Sequence, residues 1–246
     1  MSDITQLIFS AVAALLALSI HEFSHAFAAY KLGDPTAKSL GRLTINPIKH
    51  IDPFGAICMI FFHFGWAKPV PINARYFKKP RRDFALTALA GPLSNILFGF
   101  ILSLVYLICL NTFRYTDSQF LNNLINNTVY FIFILFSLNV GLGIFNLIPI
   151  PPFDGSRIVN VILPPKWYFK IMRYERYIYW GVIAWLLIGN YFYAGLMSIG
   201  FIAANPVLAG IARIFSLSGM ISDAISFLSG AMLKFWALLP FLDYPF

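Results

Sequence analysis

His21, Glu22 and His25 lie in the stretch Ile20-His21-Glu22-Phe23-Ser24-His25-Ala26, which sets two imidazoles and a carboxylate within one and a half helical turns. Residues four apart project from one face of a helix, about one turn from each other, so the two imidazoles can share a metal ion. Glu22 then stands beside the ion without being its ligand, where it can take a proton from an attacking water. This is the arrangement of a metal-dependent hydrolase. A pair of histidines hydrogen-bonded at a helix end has the same spacing, so location must decide between the two. The pair follows Ile4 to Ile20, a run without formal charge. An ionisable side chain at bilayer depth costs at least ~2.5 kcal/mol and marks a functional site by default. Three such groups together favour the metal.

A catalytic zinc usually has three protein ligands and one open position. Asp154, in Asn146-Leu147-Ile148-Pro149-Ile150-Pro151-Pro152-Phe153-Asp154-Gly155, is the candidate third ligand. It follows an apolar run that must return to the side of the membrane where His25 lies. Asp154-Gly155 also reads as a simple turn after a helix, and the preceding prolines fit either account. His50 and His63 are not expected to be ligands, the first lying in a basic loop and the second in an aromatic cluster.

The elements that position these groups follow from composition. Of 246 residues, 59% are hydrophobic and only 11% charged, which excludes an ordinary globular surface. The chain reads as an all-α polytopic membrane protein in contact with the lipid bilayer. Uncharged runs able to cross about 30 Å of hydrocarbon occur at Ile4 to Ile20, Phe84 to Thr112 and Leu121 to Phe153, and a fourth begins near Tyr177. No basic residue precedes the first run and no small-residue cleavage pattern follows it, so it is expected to be a spanning helix and not a cleaved leader. The net charge of +8 does not point to nucleic acid. Ten of the eighteen Lys and Arg lie between Lys31 and Arg82 and four between Lys166 and Arg176. The positive-inside rule places both segments in the cytoplasm and the connection Asn111 to Leu121 outside. Attraction to anionic lipid is a secondary consequence. Cys58 and Cys109 are expected to be free thiols.

Between the first two spans, Pro53 to Gly65 is apolar but short, and suits a re-entrant or interfacial element. In Gly65-Trp66-Ala67-Lys68-Pro69-Val70-Pro71-Ile72, prolines enforce extended backbone, which can form a short edge strand. The second span carries Ala88, Ala90, Gly91 and Ser94, small residues that allow close helix approach, and Asn95 as its strong amide donor. The last fifty residues are open between a further span and interfacial helices. One membrane domain is expected, with residues 1–165 as its core and 166–246 as C-terminal membrane or interfacial helices.

His-Glu-Phe-Ser-His, Gly-Trp-Ala-Lys-Pro-Val-Pro, Ala-Leu-Ala-Gly-Pro-Leu-Ser-Asn and Asn-Leu-Ile-Pro-Ile-Pro-Pro-Phe-Asp-Gly stand in that order along the chain. Together they resemble the site-2 protease family of intramembrane zinc metalloproteases, in its short form without an inserted PDZ or CBS domain. The resemblance runs from about residue 10 to residue 165. It implies a three-helix catalytic core, one zinc ion on His21, His25 and Asp154, and Glu22 as general base. It also implies cleavage of a substrate's membrane-spanning segment. Asn146 matches the family's motif and is a candidate donor to the tetrahedral oxyanion, with an interhelical hydrogen bond as the equal alternative. The loop Trp66, Pro69, Val70 and Pro71 is expected to face substrate by strand addition, or else to be a rigid connector. Asn95 is a further candidate for substrate contact.

The expectation is therefore a prokaryotic plasma-membrane endopeptidase, its site toward the cytoplasm, acting on a transmembrane protein substrate; a homo-oligomer stays open. The leading alternative is a proteolytically silent, metal-containing homologue that binds transmembrane partners, against which Glu22 argues. A zinc transporter would spread polar groups across the bilayer depth, whereas here they gather at one side.

Overall fold

A computed structural model describes residues 3–55, 68–113, 116–159, 161–213, 216–240 and 242. Its elements in chain order are α1 (Asp3–Lys31), α2 (Thr36–Ser39), α3 (Pro80–Thr112), α4 (Gln119–Asn146), α5 (Asp154–Val159), α6 (Pro165–Arg173), α7 (Glu175–Met197), α8 (Gly200–Ala204), α9 (Pro206–Arg213) and α10 (Leu217–Trp236). Helix α1 contains no glycine or proline, so it continues unbroken through both histidines to Lys31. Helix α3 opens with Pro80, whose missing N–H is one the first turn leaves unpaired anyway. The Asp83 carboxylate accepts from Lys79 N at 2.9 Å and closes that end. Helix α4 follows Ser118, whose hydroxyl accepts from Leu121 N, and it stops at Asn146, before the prolines that cannot continue it.

Among the described residues α1, α3 and α4 are each long and apolar enough to cross a membrane, and two further pairs of bent helices raise the total to as many as five. The chain is thus an all-α, multi-pass membrane protein. The three long helices pack on one another, α3 most closely on α4. Leu102, Leu107, Leu135, Phe136 and Val140 fill the contact between α3 and α4, joined by Met232 and Leu233 of α10. Trp236 fastens α10 to this core, its indole N–H shared between Phe100 O and Ser103 Oγ at 3.1 Å each. Two glycines set how closely α3 and α4 approach. A Cβ on Gly99 would stand 2.8 Å from Val140 Cγ2, and one on Gly143 would stand 2.6 Å from Ile96 Cγ1 and 3.0 Å from Pro92 O.

Where a fourth span is expected stands α7, which is long and apolar enough to cross a membrane only as a pair of segments, Glu175–Leu186 and Tyr191–Met197, bent by 45° from each other. Helices α9 and α10 meet at 102°, a broken element in place of one straight span. Between α1 and α3 the short strand is absent among the described residues: Lys68 N donates to His50 O at 2.9 Å, but Pro69 and Pro71 have no N–H with which to extend a ladder. Residues 53–55 are helical, and the rest of the proposed re-entrant element, with Cys58 and His63, lies outside the described residues, as does Trp66 after it. Cys109 is free, as expected.

The tight α3–α4 contact gives a prediction about stability. Gly143→Ala forces a methyl against Pro92 O, a backbone atom that cannot swing away, at a cost of about 1–3 kcal/mol. Thermal unfolding of the detergent-purified protein is expected several degrees lower for this variant. Gly195→Ala, with open space around its Cβ, is expected to unfold at the parental temperature.

Candidate metal centre

His21 and His25 sit one turn apart on the face of α1 that meets α3, and both are buried. Their rings are 4.5 Å apart between centroids. Asp154 arrives from the other side of the core. Phe153 is buried against Phe145, with ring centroids 4.3 Å apart, and anchors the turn between α4 and α5. Gly155 has the carbonyls of Leu147 and Ile148 where a Cβ would go, so only glycine lets the chain fold back this tightly. Asp154 Oδ2 thereby comes to 3.0 Å from His21 Nε2 and 3.2 Å from His25 Nε2, while the two Nε2 atoms are 3.0 Å apart. Among the described residues these are the ones grouped as a cation would need them.

The outer nitrogens reveal which way the lone pairs point. His25 Nδ1 is 2.7 Å from Thr87 O, a backbone carbonyl that can only accept. His21 Nδ1 is 2.7 Å from Asn95 Oδ1. Asn95 orients its amide by donating from Nδ2 to Ala17 O at 3.0 Å and to Asn139 Oδ1 at 2.8 Å, and Asn139 in turn donates to Leu135 O at 2.8 Å. Both imidazoles therefore carry their proton on Nδ1 and turn the Nε2 lone pair toward Asp154. Two lone pairs and a carboxylate oxygen at 3.0–3.2 Å repel one another unless a cation or proton lies among them. Zinc bonds of 2.0–2.2 Å in tetrahedral geometry separate neighbouring ligand atoms by about 3.4 Å. The donor set and its spacing fit one zinc-sized ion with its fourth position open.

Helix α3 can approach this closely because of Gly91. A Cβ there would stand 2.5 Å from His25 Nε2 and 2.7 Å from His21 Cε1. Glu22, half-buried beside His21, accepts from Val70 N at 2.9 Å through Oε2. Val70 is buried against Ala26 and Ala37; Pro69 is exposed and Pro71 half-buried. Asn146 donates one amide N–H to Leu142 O at 3.0 Å, one turn back on α4. Asn95, a candidate for substrate contact on sequence, is fully buried behind His21, with its carbonyl and amide both engaged by protein. His50 is also buried, in a turn that packs against α1, and its Nε2–H donates to Thr44 O at 2.7 Å. Asn139 was not singled out from sequence, although an amide in an apolar span is itself a signal. From sequence, Gly91 reads only as a small residue that allows close helix approach.

Two variants test this reading. Asn95→Ala removes the acceptor that fixes His21, and is expected to weaken metal affinity about 10- to 100-fold. Gly91→Ala pushes a methyl into both imidazoles and is expected to abolish stoichiometric metal. Elemental analysis and chelator competition on the purified protein measure both, and parental affinity in either variant contradicts the stated geometry.

The model of Peptidase family M50 matches residues 9–188. YwhC of Bacillus subtilis is 41% identical over 174 residues, an alignment covering 71% of this chain and 76% of YwhC. Rip2 of Mycolicibacterium smegmatis is 30% identical over 160 residues, covering 62% of this chain and 56% of Rip2. The zinc metalloprotease MJ0392 of Methanocaldococcus jannaschii is 29% identical over 148 residues, which span 60% of this chain and 32% of that protein. No solved structure matches. The motifs that resemble site-2 proteases, the clustered His21, His25 and Asp154, and the match to nearly three quarters of the sequence agree, and the chain belongs to Peptidase family M50.

Proposed function

We propose that this protein is an intramembrane zinc endopeptidase that hydrolyses a peptide bond in or near the transmembrane segment of a membrane-protein substrate, close to its cytoplasmic end. The carrying observation is the convergence of His21 and His25 with Asp154, from segments 129 or more residues apart, on a space the size of one ion. The names of the M50 relatives support zinc as that ion. When bound, zinc supplies Lewis acidity, polarising a peptide carbonyl and lowering the pKa of a water.

The chain's own groups supply the rest. Glu22 takes the proton of the attacking water and delivers it to the leaving amine. Asn146 has one amide N–H on Leu142 O, and the other is the one it can offer to a developing oxyanion. A helical substrate hides its peptide bonds in its own hydrogen-bond ladder, so it must unwind first. The segment Trp66, Pro69, Val70 and Pro71, of which Val70 reaches Glu22 through its backbone N–H, is the surface on which the unwound stretch lies.

The site belongs on the cytoplasmic side by the charge argument. His25 lies six residues, about 9 Å, before the end of α1 at Lys31. At the same end of the molecule Arg81 donates to Leu163 O at 2.6 Å, which draws the basic start of α3 to the chain leading into the basic α6. Such clustering of basic ends is what the positive-inside rule associates with the cytoplasm.

Glu22→Gln is expected to keep its metal and lose about 10²- to 10⁴-fold in turnover of a fluorescently labelled single-span peptide that the parent protein cleaves. Unchanged turnover would remove Glu22 as the base. Single cysteines placed between Asn111 and Leu121 are expected to react with a membrane-impermeant maleimide in intact cells; protection there, with labelling only after lysis, would reverse the orientation.

A further inference from the structure

The strap from Lys68 to Asn73 carries an unusual distribution of backbone donors. Pro69 and Pro71 have none, so Val70 holds the single N–H across three positions, and it is spent on Glu22 Oε2 at 2.9 Å. On either side the strap is fixed by buried groups. Lys68 N donates to His50 O at 2.9 Å, and Lys68 O accepts from Arg42 Nη2 at 2.6 Å. Asn73 N donates at 2.6 Å to Asp34, a fully buried carboxylate that also holds Thr36 N at 2.9 Å. Gly33, at φ 110°, turns the chain after α1 so that Asp34 can reach the strap.

Arg42 is the least expected of these. Its guanidinium is buried, its Nε has no hydrogen-bond partner, and among the described residues it pairs with no carboxylate. Burying a cation in this way is costly. Its short bond goes to the strap carbonyl two residues before Val70, with His50 Nδ1 a longer contact at 3.4 Å.

We propose that Arg42 is a positioning residue for the hydrolytic reaction: by fixing the strap it aims the Val70 N–H at Glu22 and holds that carboxylate in place before substrate arrives. One carboxylate oxygen is clamped, and Oε1, which bonds nothing among the described residues, is left to take the proton. The prolines make the clamp selective, because no neighbouring amide can compete for Glu22. Glutamate is among the side chains that lose most rotamer freedom on being ordered. Fixing it in advance is the preorganisation that a base needs, and displacement by about 1 Å can cost 10²-fold in rate. The proposal rests on Glu22 being the base.

Val70→Pro deletes the donor while keeping an apolar residue with extended backbone. With the same labelled single-span peptide, kcat is expected to fall about 10- to 100-fold, with any rise in KM smaller than that fall and metal content unchanged. Arg42→Ala is expected to lower kcat in the same way, and Arg42→Lys to recover part of it, since an ammonium can still donate to Lys68 O. A rise in KM at constant kcat would make the strap a substrate surface only. A rise in kcat would make the contact an inhibitory latch. Either outcome, or parental kcat in Val70→Pro, overturns the proposal. If Val70→Pro fails to retain metal, the Arg42 pair decides, and equal kcat in Arg42→Ala and Arg42→Lys overturns it. Glu22→Gln measured alongside separates the two levels: full turnover there refutes the base, whereas loss there with no kcat effect from the strap variants refutes only the positioning.

Discussion

The chain of hydrogen bonds from Leu135 through Asn139 and Asn95 to His21 is the interaction on which the remaining structure depends. It joins α4, α3 and α1 in the middle of the core, where water is not available to satisfy an amide or an imidazole. Because each link has its donor and acceptor assigned by the next, His21 is left with one protonation pattern and one ring orientation. His25 receives the same treatment from the Thr87 carbonyl. The polar residues inside this membrane protein therefore form a connected scaffold, and the metal-binding face is what remains when every other polar atom of the two rings has been used.

Steric constraints act with the hydrogen bonds. Gly143 and Gly99 bring α4 onto α3, Gly91 brings α3 onto the imidazoles, and Gly155 folds Asp154 back over them. Each is a place where a methyl group would separate surfaces that have to touch. Leu, Phe and Val packing between α3, α4 and α10 then holds the approach. Without a hydrophobic driving force between helices in lipid, close backbone contact and internal hydrogen bonding must supply most of the association.

Much of this could be read from the sequence. The His21, Glu22 and His25 spacing is a local signal, and Asp154 followed from topology, because alternating spans return it to the side of His25. The three long helices were legible from uncharged runs. What was not legible depends on helix rotation and loop path. Nothing in the second span says whether Asn95 faces substrate or His21; that is decided by the packing angle of α3 on α1. Nothing in the loop sequence marks Arg42 or Asp34, and only the folded chain buries them against the strap. The expected short strand did not form among the described residues because the same prolines that extend the backbone deprive it of donors. The C-terminal third, with its apolar stretch interrupted at Asn205-Pro206, had no single span length to declare, and it folds as bent helix pairs.

The central claim is that one ion is held by two imidazoles and a carboxylate brought together by the three-helix core. X-ray absorption at the zinc edge of the purified protein tests it most directly. The account predicts one zinc per chain with a first shell of nitrogen and oxygen only, two of the scatterers showing the outer-shell pattern of imidazole. A shell containing sulfur, or a protein that takes up no stoichiometric zinc while folded, would contradict it.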